Sequence, residues 1–345
     1  MAAGTVHGRP FSLGLLTVPI VQAPMAGGPS TPRLAAAVST SGGLGFLAAG
    51  YKSADAVRAE ILATRSLTGA PFGVNVFVPQ PSVADSTAVA DYAESLRADA
   101  AALTTTLGRA RYDDDDWANK IDVLLDLAPG VVSFTFDIPE SGVMEALMTA
   151  GVAVVLTVTS RAEAYRAVES GARALCVQGP EAGGHRGTFD PTSEPEATPL
   201  LQLIEELRDV PVPLIAAGGV VTGEDTRVVL SRGAAAVQAG TAFLRADEAG
   251  TKTAHRAALM SGEFISTSVT KAFSGRYARG LTNGFMRDHD HDAPFGYPEV
   301  HHLTTPLRAA AAAVGDAHRL NLWAGMNFGR TMTGSAEAIL ASLRP

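Results

Sequence analysis

The chain has 345 residues, 46% of them hydrophobic and 18% charged, with a net charge of −8. That composition suits a soluble globular protein with a large core, and the acidic balance argues against a nucleic-acid partner, which ordinarily demands a basic face. The single cysteine, Cys176, excludes an internal disulfide and makes the cytoplasm the expected setting; no run reaches membrane-spanning length, and MAAGTVHGRPFSLGLL at the start lacks a leader's basic head and apolar stretch.

Short apolar runs recur along the chain, each followed by Gly, Pro or polar residues. In order they are VPIVQAPM (18–25), GLGFLAA (43–49), FGVNVFV (72–78), VVSFTFD (131–137), AVVLTV (153–158), ALCVQG (174–179), PLIAAGG (213–219) and AAVQAGT (235–241). They are almost continuously apolar, as strands covered on both faces are. Between them lie helical patterns that often open on Ser or Thr and close on Gly: 31–42, 53–66, 141–151, 160–171, 200–209 and 222–233. Eight runs in βα alternation predict an α/β fold, a (β/α)8 TIM barrel, over 1–246; a doubly wound open sheet is the structural alternative. Residues 79–130 are too long for one crossover and read as a helical insertion. Their acidic run, Asp113–Asp116, reads as a solvated helix start or loop. Residues 247–320 read as a second, smaller, mostly helical lid domain, and 321–345 as a segment returning to the barrel mouth.

Barrel active sites lie at the C-terminal strand ends. The first run ends in Ala23, Pro24 and Met25, and the third contains Asn75. The sixth ends in Gln178, followed by Gly183, Gly184 and His185. Gly218 and Gly219 close the seventh run, Gly240 and Thr241 the eighth. Glycines after the last two strands leave backbone amides open to a phosphate, and TGED after the seventh adds a helix N-terminus. A phosphate site without a P-loop lysine suits flavin mononucleotide (FMN), with Gln178 and Asn75 left to bond the ring's edge.

On QAPMAGG, GVNVF, VVSFTF, CVQGPEAGGHRG, IAAGGV, QAGTAFL, AFSGRYARGLTN and WAGMNFG, which fall in order along nearly the whole chain, the sequence resembles the nitronate monooxygenase family, formerly 2-nitropropane dioxygenases. The resemblance implies an FMN-dependent barrel with a helical second domain. It implies that His185 is the catalytic base, that Gly218, Gly219, Gly240 and Thr241 hold the phosphate, and that Ala23, Met25, Asn75, Gln178 and Gly183 line the flavin. The implied partners are a nitronate or nitroalkane and O2, giving a carbonyl compound and nitrite. Asp137 departs from the family's usual glycine, and the sequence leaves open whether it faces the pocket or turns away to cap the next helix.

Several residues carry no assigned role. Arg186 is expected to face solvent or pair with an acid. Lys271, Ser274 and Arg276 lie in a segment that folds over the flavin, as ion pairs or as substrate contacts. His289 and His291 alternate with aspartates in what reads as a solvated loop, and no metal site is expected. The adjacent His301 and His302 are assigned nothing. Cys176 reads as a small buried hydrophobe. Met25 and Phe46 are core or pocket wall. Two other functions stay open: a flavin-dependent enoyl-thioester reductase using NAD(P)H, and a flavin-binding barrel without turnover. The oligomeric state is not fixed; a homodimer is left open.

Overall fold

The computed structural model describes residues 13–345. The start of the stretch read for a leader therefore lies outside the described residues. Eight parallel strands form the main sheet: β1 (Ile20–Gln22), β2 (Phe46–Ala48), β3 (Gly73–Phe77), β4 (Val131–Thr135), β5 (Ala153–Val158), β6 (Ala174–Gln178), β8 (Leu214–Ala217) and β9 (Ala236–Ala239). Between β6 and β8 the chain forms a two-residue strand, β7 (Gly184–His185). The order β1-β9-β8-β6-β5-β4-β3-β2 is closed by a parallel bridge between Val21 and Leu44, so the barrel, not the open sheet, is the fold. All eight apolar runs became barrel strands, because each carries side chains for both the interior and the helical coat.

The interior of the barrel is filled by Val21, Leu44, Phe46, Val131, Cys176, Ile215 and Ala236. Phe46 is thus core. Cys176 is buried there, and burial pushes its thiol up to about 12, which makes it inert at neutral pH. The outer strand faces pack on α1 (Pro32–Thr40), α2 (Ala54–Leu67), α6 (Ser141–Thr149), α7 (Arg161–Glu169), α8 (Leu200–Glu206) and α9 (Gly223–Ser231). Thr31, Ser53, Ser160 and Thr222 accept backbone N–H groups at the N-termini of α1, α2, α7 and α9, as their spacing predicts.

The long insertion divides. Helices α3 (Ser86–Ser95) and α4 (Arg97–Ala102) turn away from the barrel; Val89, Tyr92, Leu96 and Ala100 pack on Phe273, Phe285, Val300, Leu303 and Leu307. Only α5 (Trp117–Leu127) covers the barrel, through Ile121, Val123 and Leu124. The region after residue 246 contains α10 (Thr253–Ala258), α11 (Gly284–His289) and α12 (Glu299–Val314), but also a hairpin, β10 (Thr267–Thr270) with β11 (Ala278–Leu281). Strand β11 lies in the Gly- and Arg-containing run KAFSGRYARGLTNGF (271–285) and β10 just before it, where the sequence shows no sustained alternation. Beyond it, residues 321–324 run beside β11, and α13 (Ala336–Ser342) returns to the barrel coat through Ile339 and Leu340.

The acidic run stands at the start of α5, as expected, but it is not merely solvated. Asp115 pairs with the fully buried Lys120 at 2.8 Å and accepts the Tyr51 N–H at 2.9 Å; Asp116 accepts the Ala54 N–H at 2.7 Å. The carboxylates tie α5 to the turn after β2.

Candidate active site

His185 leaves the barrel on β7, which pairs antiparallel with β11: His185 faces Ala278 and Gly184 faces Arg279. The two glycines before it have separate physical causes. A Cβ on Gly183 would collide with the backbone of Ala324 and Gly325, where the C-terminal segment crosses the loop. Gly184 has φ +78°, a conformation that costs an L-residue about 1–2 kcal/mol. The Gln178 side chain fixes the loop from the strand end: Nε2 donates to His185 O at 3.0 Å, and Oε1 accepts the Gly187 N–H at 2.8 Å.

The ring of His185 sits among Phe136, Tyr297 and Trp323, with centroids 5.9, 5.7 and 5.6 Å away, all edge-on. Its Nε2 lies 2.8 Å from Ser274 Oγ, and that hydroxyl donates to Arg276 O at 3.2 Å. With its proton spent there, Ser274 accepts from Nε2–H, which assigns the tautomer and leaves Nδ1 with the lone pair. Burial, then the charges of Arg276 and Arg308, push His185 down to about 3, so the ring is neutral at physiological pH.

A cavity of about 270 Å³ opens at the C-terminal strand ends. All ten residues expected at the site line it: Ala23, Met25, Asn75, Gln178, Gly183, His185, Gly218, Gly219, Gly240 and Thr241. Met25 is therefore pocket wall. Its N–H is held by Ser30 Oγ at 2.9 Å, and Ser30 is held by the buried Gln22 at 3.0 Å. Asn75 Nδ2 donates to Ser133 O, Ser133 Oγ and Thr135 Oγ1 at 3.1, 2.9 and 3.0 Å, so Oδ1 is its free acceptor. At the other side Gly218 and Gly219 have φ +133° and +70°, and the N–H groups of Gly218, Gly219, Gly240 and Thr241 make no hydrogen bond among the described residues. The C-terminal segment braces this cradle: Asn327 Nδ2 donates to Gly219 O at 2.6 Å, and Gly325 N–H to Thr241 Oγ1 at 2.9 Å. The TGED motif plays no part. Thr222 and Asp225 form a capping box at the start of α9, Asp225 also accepts the Val221 N–H at 3.0 Å, and neither residue lines the cavity.

Four bare amides and a hydroxyl form a concave donor set that a Cβ would obstruct, which suits a phosphate monoester. An apolar and amide-bearing wall beside it suits a flat heterocycle. Residues 9–345 match the nitronate monooxygenase family. The chain belongs to that family. It is 36% identical over 322 residues to a probable nitronate monooxygenase of Bacillus subtilis, covering 92% of each chain. A probable nitronate monooxygenase of Staphylococcus aureus is 36% identical over 331 residues, 94% of this chain and 93% of that one. Among solved structures, nitroalkane oxidase from Streptomyces ansochromogenes superposes with a TM-score of 0.93 at 47% identity, covering 96% of each chain. FabK from Thermotoga maritima superposes with a TM-score of 0.73 at 26% identity, covering 96% of this chain and 93% of that one. As a nitronate monooxygenase family member the protein is an oxidoreductase, and the family is one of flavoenzymes.

In this nitronate monooxygenase several residues differ from their sequence reading. Asp137 turns away from the cavity: its Oδ1 accepts the Ile138 N–H at 2.8 Å and lies 4.0 Å from Arg166, and it does not cap α6. Arg186 is neither exposed nor paired with an acid. It is 1% exposed and donates to Gly179 O and Gln178 O, which stiffens the loop that carries His185. Arg276 makes neither ion pair nor cavity contact; its guanidinium lies 3.9 Å over Phe136 and bonds Gln80 and Thr188. Lys271 donates to Ala293 O and sits 4.5 Å over Phe295. His289 is no loop residue: it ends α11 and bonds Asp99 at 2.8 Å, whereas His291 pairs only with its exposed neighbour Asp292. The described residues contain no cluster arranged for a metal, and no helix among them is long and apolar enough to cross a membrane.

Among the cavity residues that sequence reading missed are Tyr51, Lys252, His255, His301 and Arg308. His301 and His302 lie on α12, not on a strand. His301 stacks on Tyr51 at 4.0 Å, and His302 pairs with Asp113 at 2.7 Å. The signal lay in VHHLTTPLR, where His301 and Arg308 share a helical face at a spacing of seven. The sequence reads as an alanine-rich helix only over 305–316, with Pro306 in its first turn, so the part of α12 before Thr305 was missed.

Proposed function

We propose that the protein binds FMN and oxidises alkyl nitronates with O2 to a carbonyl compound and nitrite, accepting neutral nitroalkanes more slowly. The observation that carries this reading is that His185, neutral and oriented by Ser274, shares one cavity with the Gly218–Gly219 and Gly240–Thr241 cradle. The cradle would hold the phosphate. Ala23, Met25, Asn75 and Gly183 would line the ring, with Asn75 Oδ1 as an acceptor at its edge; Gln178 contributes chiefly by holding the His185 loop. The flavin supplies the electron-accepting chemistry and the reaction with O2. The protein binds the substrate against it, excludes water with Phe136, Tyr297 and Trp323, and receives a proton at His185 Nδ1 when the substrate arrives as the neutral nitroalkane. A ring held near 3 is a weak base in the empty site, but the nitronate formed beside it is an anion that stabilises the imidazolium. A ready-made nitronate needs no such transfer.

The test is direct. The purified protein should be yellow and release FMN on denaturation. Without oxygen a nitronate such as propionate 3-nitronate should bleach it and NADH or NADPH should not; with oxygen, nitrite should be released as oxygen is consumed, the balanced reaction turning two nitronates and one O2 into two carbonyl compounds and two nitrites. Rapid bleaching by a nicotinamide would favour the enoyl-thioester reductase reading. A yellow protein inert to both would be a flavin-binding barrel without turnover.

A further inference from the structure

Arg308 projects from α12 into the cavity that holds His185. It is 9% exposed. Its Nε donates to Thr304 Oγ1 at 3.1 Å, and its Nη2 to His301 O and Thr305 Oγ1, both at 2.9 Å; Nη2 also lies 3.3 Å from His301 Nδ1. All of these partners are uncharged and on the same helix. Nη1 makes no hydrogen bond among the described residues, and no carboxylate pairs with the guanidinium. A buried cation is expensive unless an anion lies beside it.

The neighbourhood offers none. Tyr51, on one side, is pushed up to about 12 by burial and stays a neutral phenol; Tyr297 is raised further by the same cause. His185 and His301 are held neutral by burial. Lys252, at the start of α10, lines the same cavity and adds positive charge. Glu181, the lining carboxylate, belongs to the cradle: its Cβ lies 3.3 Å from where a Gly219 Cβ would be, and its Oε1 accepts the Leu200 N–H.

We propose that Arg308 is a specificity-determining residue whose Nη1 holds the negatively charged oxygens of the substrate beside His185. Thr304, Thr305 and His301 pre-orient the fork, so little ordering is left for binding. The Tyr51–His301 stack walls it. The identity of the anion as a nitronate rests on the reading above; the binding of an anion at Arg308 does not.

The experiment uses the flavin-loaded enzyme and reads ligand binding from the change in flavin absorbance. The probes are propionate and its uncharged isostere propionamide, at pH 7. Wild-type enzyme should bind propionate at least about tenfold more tightly than propionamide, the scale of one charge-assisted hydrogen bond. Arg308→Gln should erase that preference and raise KM for propyl-1-nitronate about thirtyfold with a smaller change in kcat. Arg308→Lys should restore part of both. Lys252→Met, at an exposed position that should not disturb folding, should keep the preference. Equal binding of the two probes by wild type overturns the proposal, as does an Arg308→Gln enzyme that still prefers propionate, or a preference abolished by Lys252→Met. An enzyme that discriminates the probes through Arg308 but turns over no nitronate would remove the nitronate reading and leave this one standing. Turnover without discrimination would do the reverse.

Discussion

Ser274 Oγ spends its proton on Arg276 O and so accepts Nε2–H from His185, which leaves the ring's lone pair on Nδ1. Two expectations follow at this scale. His185→Asn should keep the flavin, abolish most turnover of neutral nitroalkanes and affect nitronates much less, as steady-state oxygen consumption will show; equal losses on both would contradict the base role. Ser274→Ala frees the tautomer and should lower kcat for a neutral nitroalkane by about tenfold, the low end for general-base catalysis, with little change for a nitronate. The pH dependence is equally specific. The free-enzyme ring titrates near 3, so kcat/KM for a nitronate should show no ionisation of His185 between pH 8 and 5. An acid limb near 6.5 that disappears in His185→Asn would show an ordinary imidazole.

Among elements, the small sheet does most to place the histidine. Strand β11 carries β10 on one edge, and β7 and the 321–324 segment on the other. Leu281 N–H donates to Leu322 O at 2.9 Å, and Met326 N–H to Glu181 O at 3.0 Å, so the C-terminal segment bridges the hairpin and the loop ahead of His185. The same segment then braces Gly219 and Thr241. Gly183 is the point where this crossing is tightest. Gly183→Val should therefore push 324–327 off the loop and weaken both halves of the site together. The expected result is flavin content reduced severalfold in the purified protein, with far-UV circular dichroism preserved because the barrel core is untouched. A variant with full flavin content would show that the crossing is not what holds the cradle.

At the scale of the molecule, acid should loosen the structure through its buried histidines. His185 and His255 are pushed down to about 3 and about 4 by burial, and His301 well below its ordinary value. Each binds a proton near pH 6.5 when unfolded and only at lower pH when folded. The unfolded chain therefore takes up more protons between those values, and stability is full above pH 6.5 and falls as pH is lowered toward 4. For His185 and His255 the expected loss is roughly 2.5 kcal/mol each at pH 4.5, readable as a falling Tm. His255→Gln should flatten the fall; an unchanged slope would mean that this ring titrates normally in the folded protein. The second hydrophobic cluster is a further whole-molecule feature, since α3 and α4 join Val300, Leu303 and Leu307 from far along the sequence.

Much of this was legible before any coordinates. The eight strands announce themselves because a strand buried on both faces must be apolar throughout, and glycines at their ends mark where backbone alone is tolerated. The ten residues expected at the site line one cavity for that reason, by position at strand ends. The hairpin of 267–281 was not legible, because its strands are four residues each without an apolar alternation, and β11 draws further pairing from the distant β7. Arg186, Arg276 and His289 look like surface residues in sequence and are buried by carbonyls, rings and one carboxylate drawn from elsewhere in the chain. The sequence alone determined the barrel, the family and the side chains of the strand-end ring, since periodicity and glycine placement are local properties. Only the tertiary structure decided which nitrogen of His185 is free, that Asp137 faces away, and that Arg308 stands in the cavity without a counter-ion. Those depend on which groups from remote segments share one water-poor space, and charge and proton placement there follow from neighbours, not from neighbours in sequence.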